Sequence, residues 1–466
     1  MPVKIIDLLK TIIIYILTGT MLASAGYYIN ARQNAGQRAE VPWEKQRILE
    51  GRAVFSEINS AQLNPVQITV THDGESLTAV YDDILIAWLY DGFIPIAISG
   101  LFNSSAECEL LDGPAGSEAW RAAAESADSV YIRYAGDYIY PVIYAFLDPS
   151  NHESAGAVRD IAKVRELFIL DMDPVFGVSR DSEGNVAVFR PSEDNRDREY
   201  ISANINASLQ TAYNISEGAG IPSRFFAGVP GDLSSLDLSA SFHLPDTSRA
   251  IYSPVLAFEN PLLSESGNID LRQDYIIGLF RLLNFNHESA YVLPGTADYT
   301  DGLISVSFAA GSGQIIYRHN NPGGLHLSRF LGYDADNYSF FEKLRAASAF
   351  ANALSRELAG GHDSSLFLKD IFFDGAELEI IFAYYYRGIK IDNGGIKIRI
   401  SGDFISESVI HAIRIREHGL IKNIDPMLIL READRRASGR LTVNRLELVY
   451  KDNIGARAAK PVWVVR

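Results

Sequence analysis

At 466 residues, with 47% of them hydrophobic, 21% charged and a net charge of −16, the chain has ample apolar area for folded domains. That acidic balance argues against nucleic acid as a partner, because phosphates would be repelled rather than neutralised. A single cysteine, Cys108, excludes an intrachain disulfide framework and any multi-cysteine metal site.

The first element is an uncharged apolar run from Thr11 to Ile29. It matches the roughly 20 residues an α-helix needs to cross a bilayer core, so a transmembrane helix is expected over 11–29 behind a short cytoplasmic tail, 1–10. Lys4 and Lys10 place that tail inside by the positive-inside rule, which leaves the bulk of the chain extracytoplasmic in the cell membrane. A cleaved secretory signal is the competing reading, with Ala23-Ser24-Ala25 as the small-residue site. Continued apolar character through Tyr27, Tyr28 and Ile29 favours the uncleaved anchor. Within the run, Gly19 and Ala23 stand four apart, as do Thr20 and Ser24, and Gly26 follows on roughly the same face. Small residues in that arrangement let a partner helix approach closely, and this face is the candidate partner-binding site.

Beyond the anchor, residues 43–58 read as a helical connector. The β-branched run Gln67 to Thr71 then leads into an Asp73-Gly74 turn. Tyrosines among Val and Ile from Tyr131 to Phe146 predict a β-hairpin turning at Ala135-Gly136-Asp137, with a carbohydrate platform on its rings as the sharper interpretation. Val175 to Arg190 reads as a second hairpin around a loop at 180–185, and Glu199 to Tyr213 as a helix. Gly, Pro and Ser from Gly218 to Pro245 predict a loop closing an N-terminal extracytoplasmic domain, 30–245.

Two segments on one plan follow, a middle α+β domain at 246–339 and a C-terminal α+β domain at 340–466. The first has an amphipathic helix, Asp270 to Phe285, then strands at 290–293, 303–308 and 314–317. The second has a helix, Phe340 to Leu358, then strands at 366–373 and 377–386 and an alternating pair, 389–391 and 396–400, turning at Asn393-Gly394. Asp425-Pro426 carries the residue types of a helix start, and strands at 445–450 and 461–465 end the chain. Charge divides near the same boundary, with 20 Lys and Arg against 16 Asp and Glu from residue 341 onward and 22 against 42 before it. The expected fold class is α+β: a transmembrane helix, an N-terminal extracytoplasmic domain and two similar helix-plus-antiparallel-sheet domains.

Catalytic patterns are missing from the sequence: there is no Gly-x-Ser-x-Gly elbow, and His152-Glu153 and His287-Glu288 lack the second histidine of a zinc helix. Asp298, Asp301, Asp334 and Asp336 sit in loops without calcium-loop spacing, so local turn chemistry explains them. Cys108 has no basic neighbour to stabilise a thiolate. No catalytic residue, cofactor or metal ligand is therefore assigned.

The ending carries a resemblance. Arg445-Leu-Glu-Leu-Val-Tyr450, a polar loop, then Pro461-Val-Trp463-Val resembles the close of the YycH/YycI proteins, and Tyr385-Tyr-Arg-Gly388 before apolar alternation resembles one of their strand pairs. Those proteins are single-pass regulators of a cell-wall-sensing two-component histidine kinase in Gram-positive bacteria. The resemblance implies a non-enzymatic regulator whose partners are the sensor kinase and a paralogous regulator. An extracytoplasmic binding module for peptide, lipid or cell-wall glycan is the alternative.

Overall fold

Strands outnumber helices because most apolar residues recur every second position, and the computed structural model forms mixed α/β architecture that is mostly sheet. The structure describes residues 63, 65–80, 86, 89–90, 107–139, 142–143, 163–170, 176–190, 214, 221–226, 236–237, 242–245, 252–263, 274–286, 291–292, 298–309, 312–320, 323–335, 337–359, 364–374, 377–437, 441–443, 446–451 and 459–465. The expected tail at 1–10, membrane helix at 11–29, connector at 43–58 and helix at 199–213 lie outside them. Among the described residues no helix is long and apolar enough to cross a membrane.

The first sheet uses β1 (Gln67–His72), β2 (Glu75–Val80), β3 (Glu107–Leu111), β4 (Ser129–Ile139), β5 (Lys163–Leu170), β6 (Phe176–Arg180), β7 (Val186–Arg190), β8 (Ile221–Phe226) and, after the short β9 (Leu236–Asp237), β10 (Phe242–Pro245). Their order is β10-β8-β2-β1-β4-β5-β6-β7-β3. β1 and β2 pair around Asp73-Gly74, where φ values of 49° and 78° give the left-handed conformation a tight hairpin needs. β6 and β7 pair as expected around the 181–185 loop. The Gly/Pro/Ser-rich stretch 218–245 is not a plain loop. β8 lies between β2 and β10, pairing with β2 through Leu77↔Pro222 and Thr78↔Ile221, and Pro222 is tolerated because the ladder to β10 ends one residue away at Ser223.

α1 (Gly113–Ala124) covers one face of this sheet, burying Trp120 and Ala123 against Tyr131, Phe168, Leu170 and Val178. The opposite face, with Ile68, Val130, Ile132, Leu167 and Ile169, joins the main core.

That core is completed by β11 (Tyr252–Glu259), α2 (Asp274–Leu282), and a second sheet built around β12 (Tyr291–Val292), β13 (Asp298–Thr300), β14 (Ile304–Ala309), β15 (Gln314–His319) and β16 (Leu325–His326). After α3 (Ser328–Leu331) and α4 (Phe340–Ala359) the same sheet continues with β17 (Ser364–Asp374), β18 (Glu377–Tyr386), β19 (Ile389–Ser401) and β20 (Phe404–His411). β21 (Arg414–Lys422) pairs with β11, α5 (Pro426–Arg436) and β22 (Leu441–Thr442) follow, and β23 (Leu446–Lys451) and β24 (Pro461–Val465) close the chain. α5 begins as its sequence dictates, with the Asp425 carboxylate accepting the Met427 N–H at 2.9 Å and proline in the first turn.

The backbone order of this sheet is β12-β13-β14-β15-β20-β19-β18-β17. The β15–β20 ladder carries it across residue 340, so the expected middle and C-terminal segments share hydrogen bonds. α4 buries Leu344, Ala347, Ala351, Leu354 and Leu358 in the same core as Ile380, Ile398 and Ile400. Residues 54–466 group as one compact unit; the other unit, Met1–Ala53, lies outside the described residues.

Two expected hairpin turns are instead bulges within continuous strands. β4 runs through Ala135-Gly136-Asp137 without reversing, because its ladder to β5 passes from Arg133↔Glu166 to Tyr138↔Val164. Four residues, Tyr134 to Asp137, thus stand opposite Arg165 alone. β19 likewise runs through Asn393-Gly394: its ladder to β18 passes from Ala383↔Gly395 to Tyr385↔Lys390, which sets Ile391 to Gly394 opposite Tyr384 alone. Lys390 to Asp392 pair in parallel with β23 instead. The actual reversal between β18 and β19 is at Arg387-Gly388, with φ of 46° and 70°.

Candidate functional site

The two wide bulges meet at one place together with a third. In β17, Lys369 is an extra residue between Leu368↔Phe382 and Asp370↔Ile381. Gly136 of β4 lies so close to it that a Cβ there would stand 2.0 Å from the Lys369 carbonyl oxygen. Bulges bend a strand and re-aim its side chains, and here they open a cleft of about 600 Å³ between the first sheet and the outward face of the second.

Each wall has a separate origin. Ala135, Gly136 and Asp137 come from the β4 bulge, joined by Ser182 of the β6–β7 loop. Ser182 is locked to Asp137, donating its N–H at 2.9 Å and its hydroxyl at 2.5 Å. Opposite stand Lys369 and Asp370 of β17 and Lys390, Asp392, Gly394 and Gly395 of β19. The floor is the sheet face carrying Ile381, Lys397, Val409 and His411. His411 Nε2 donates to the Ser312 carbonyl at 2.8 Å, so its ring is fixed in place.

Charges of both signs line the cleft. Arg165, nearly buried, donates to Glu447 at 3.3 Å and to the Ala135 carbonyl at 3.4 Å, which ties the bulge of the first sheet to β23 of the second. Burial pushes the Asp370 carboxyl up; Lys369, 3.6 Å away, draws it down and the Asp137 charge pushes it further up, leaving it above the ordinary range. Lys397 pairs with Glu379 at 2.7 Å and begins a surface network through Arg399 and Glu407 to Arg318. Burial raises the Glu379 carboxyl, but Lys397 and Arg399 outweigh that and hold it below its usual value.

Of the tyrosines expected to form a carbohydrate platform, the three that the structure describes are not surface residues. Tyr131, Tyr134 and Tyr138 are buried, and Tyr138 donates its hydroxyl to the Leu368 carbonyl. Their rings fill the interior because β4 is central, covered on both faces. Tyr140 and Tyr144 lie outside the described residues, as do the small-residue positions Gly19, Thr20, Ala23, Ser24 and Gly26.

The loop carboxylates behave as turn residues. Asp301 accepts the N–H groups of Asn286, Leu303 and Ile304 at 2.8–3.0 Å; burial raises its carboxyl, and these donors pull it below the usual range. His72, Asp73 and Asp128 gather near the β1–β2 turn. His72 Nδ1 lies 2.8 Å from Asp128 Oδ1, which also accepts the Asp73 N–H, so the group fastens that hairpin. Burial pushes the Cys108 thiol up to about 11, away from thiolate chemistry.

Sequence reasoning missed the cleft residues because Gly136 and Gly394 read as turn formers. One signal was present. Ile389 and Ile391 are in odd phase and Ile396, Ile398 and Ile400 in even phase, and all five are buried, which requires an irregularity between them but not a reversal. α1 was also missed, although Asp112-Gly113-Pro114 ahead of an alanine-rich stretch carries the marks of a helix start.

Fold and cleft together define a large, mostly-sheet protein of two large sheets that share a main core, with a charged cleft where bulged strands converge. No protein-family model matches the chain, and no curated protein matches it by sequence. The crystal structure of YycH from Bacillus subtilis matches with a TM-score of 0.50 at 10% identity, covering 87% of this chain and 94% of that one. The chain has a YycH-like fold.

Proposed function

We propose that this protein is a membrane-anchored extracytoplasmic regulator that binds a two-component sensor histidine kinase controlling cell-wall metabolism and performs no chemistry of its own. The observation carrying this reading is the YycH-like fold over 87% of the chain, together with the resemblance of the 445–464 ending. In this reading the helix at 11–29 holds the body outside the membrane, and Gly19, Thr20, Ala23, Ser24 and Gly26 pack against a helix of the kinase or of a paralogous regulator. The body, divided at about residues 245 and 340, carries a duplicated helix-then-antiparallel-sheet plan in α2 with β12–β15 and α4 with β17–β20. A regulator shifts its partner only through differential affinity, so it acts by binding one kinase conformation in preference to another.

Co-purification from membranes tests it. Gly19→Leu combined with Ala23→Leu is expected to reduce kinase recovery while the body unfolds at the wild-type temperature. Recovery at the wild-type level overturns the helix contact, and failure of the wild-type chain to retain any sensor kinase overturns the regulator reading.

The cleft favours a second reading, an extracytoplasmic binding module. Its volume of about 600 Å³ falls within the roughly 300–1,000 Å³ of small-ligand sites.

A further inference from the structure

We propose that the cleft binds a short peptide carrying both an ammonium and a carboxylate group. This inference rests on the binding-module reading and names the ligand class for it. Lys369, Lys390 and Lys397 share the lining with Asp137, Asp370 and Asp392, so a ligand of one sign meets like charge on at least one wall. A ligand with both signs places each against its opposite, and charge-assisted hydrogen bonds to such groups are the stronger kind. Asp137 and Asp370 repel each other across the Lys369 bulge, and a ligand ammonium set between them relieves that repulsion.

The main chain points the same way. The β18–β19 ladder is broken over Ile391 to Gly394; Ile391 and Asp392 pair with β23 instead, which leaves Asn393 and Gly394 outside these ladders, and the β19–β20 ladder ends at Ile396↔Ile410. A short stretch of main chain outside the ladders, with Gly394 in the lining, therefore borders the cleft as well as side chains, and peptide recognition uses main-chain hydrogen bonding of this kind. Ile381 and Val409 add a small apolar floor for a side chain. Other ligand classes fit less well. The rings of the lining, Phe382 and His411, are 1% and 9% exposed, so a sugar finds no open ring face. A lipid chain wants apolar walls, and these are charged.

The test uses the full chain in detergent with ¹³C-methyl isoleucine, reading the Ile381 methyl signal. The probes are the tetrapeptide Lys-Val-Glu-Val with free termini, its acetylated and amidated Gln-Val-Gln-Val counterpart, and chitotetraose. The charged tetrapeptide is expected to shift Ile381 saturably at up to about 5 mM, enough to reveal a millimolar complex. Val409→Trp, which fills the cleft from the open sheet face, is expected to weaken that binding at least about tenfold. Asp370→Asn with Lys369→Met, which leaves the cleft open, is expected to weaken it similarly. Equal binding of the uncharged peptide, or a shift that survives Val409→Trp, overturns the proposal. A shift with chitotetraose alone overturns the peptide and keeps the binding-module reading; silence of Ile381 toward every probe overturns both.

Discussion

Asp73-Gly74 and Asn393-Gly394 are the same kind of dipeptide, each between strand-forming runs, yet the first reverses the chain and the second does not. At Gly74 φ is +78° and an added Cβ would meet nothing within 4 Å, so the turn stands free and β1 folds back on β2. At Gly394 and Gly395 the chain is hemmed in. A Cβ on Gly394 would meet Ile413 at 3.1 Å, and one on Gly395 would stand 2.1 Å from the Phe382 carbonyl oxygen. Glycine serves left-handed backbone in one place and close approach of two main chains in the other. The difference teaches that a turn dipeptide turns only when the flanking strands have no better partners. β19 has β18 on one stretch, β20 on another and β23 beside its bulge.

Substitution at the packed glycine should show the largest effect. Gly395→Ala forces its methyl into backbone that cannot swing aside, and a loss of about 3 kcal/mol or more is expected from equilibrium denaturation. Stability within about 1 kcal/mol of wild type would mean that the bulge relaxes and that the contrast with Gly74 is overstated.

A comparable loss is expected where the other wide bulge is anchored. Glu166 sits at the last ladder pair before the β4 bulge, accepts from Arg180 on β6 at 2.5 and 2.9 Å and from Tyr131, and Arg180 in turn stacks 4.3 Å over Trp120. Glu166→Gln removes the negative charge facing the buried guanidinium and should cost about 3 kcal/mol near neutral pH. Burial raises the Glu166 carboxyl, but Arg180 and the Tyr131 hydroxyl outweigh it and hold it below its ordinary value of 4.5. A depressed carboxyl stabilises the fold above its unfolded pKa and loses that contribution as pH falls through the folded one. Wild type should therefore approach the variant in stability as pH drops below about 4.5, measured by denaturant titration at several pH values. Parallel curves down to acid would remove Glu166 as the anchor.

The smallest effect belongs to the free turn. Gly74→Ala has room for its methyl and suffers only the strain of positive φ, about 1 kcal/mol, with Gly74→Asn costing less. A larger loss than at Gly395 would invert the comparison.

Local rules and tertiary context divide this molecule cleanly. The hairpins at 73–74 and 181–185, the helices α2, α4 and α5 and the final strands were legible because each rests on neighbouring residues: apolar periodicity, an Asp-Pro start, a left-handed dipeptide. The resemblance of Arg445 to Val464 likewise pointed to the YycH-like fold from sequence alone. What the sequence could not settle was which strand lies beside which. Residues 314–319 pair with 404–411 across residue 340, the tyrosines of β4 turn inward because another layer covers them, and three bulges distant in the chain converge on one cleft. Such pairings depend on the backbone of a remote segment arriving within hydrogen-bonding distance. Gly136 and Gly395 carry no mark of those neighbours, Lys369 and Phe382, until the chain has folded.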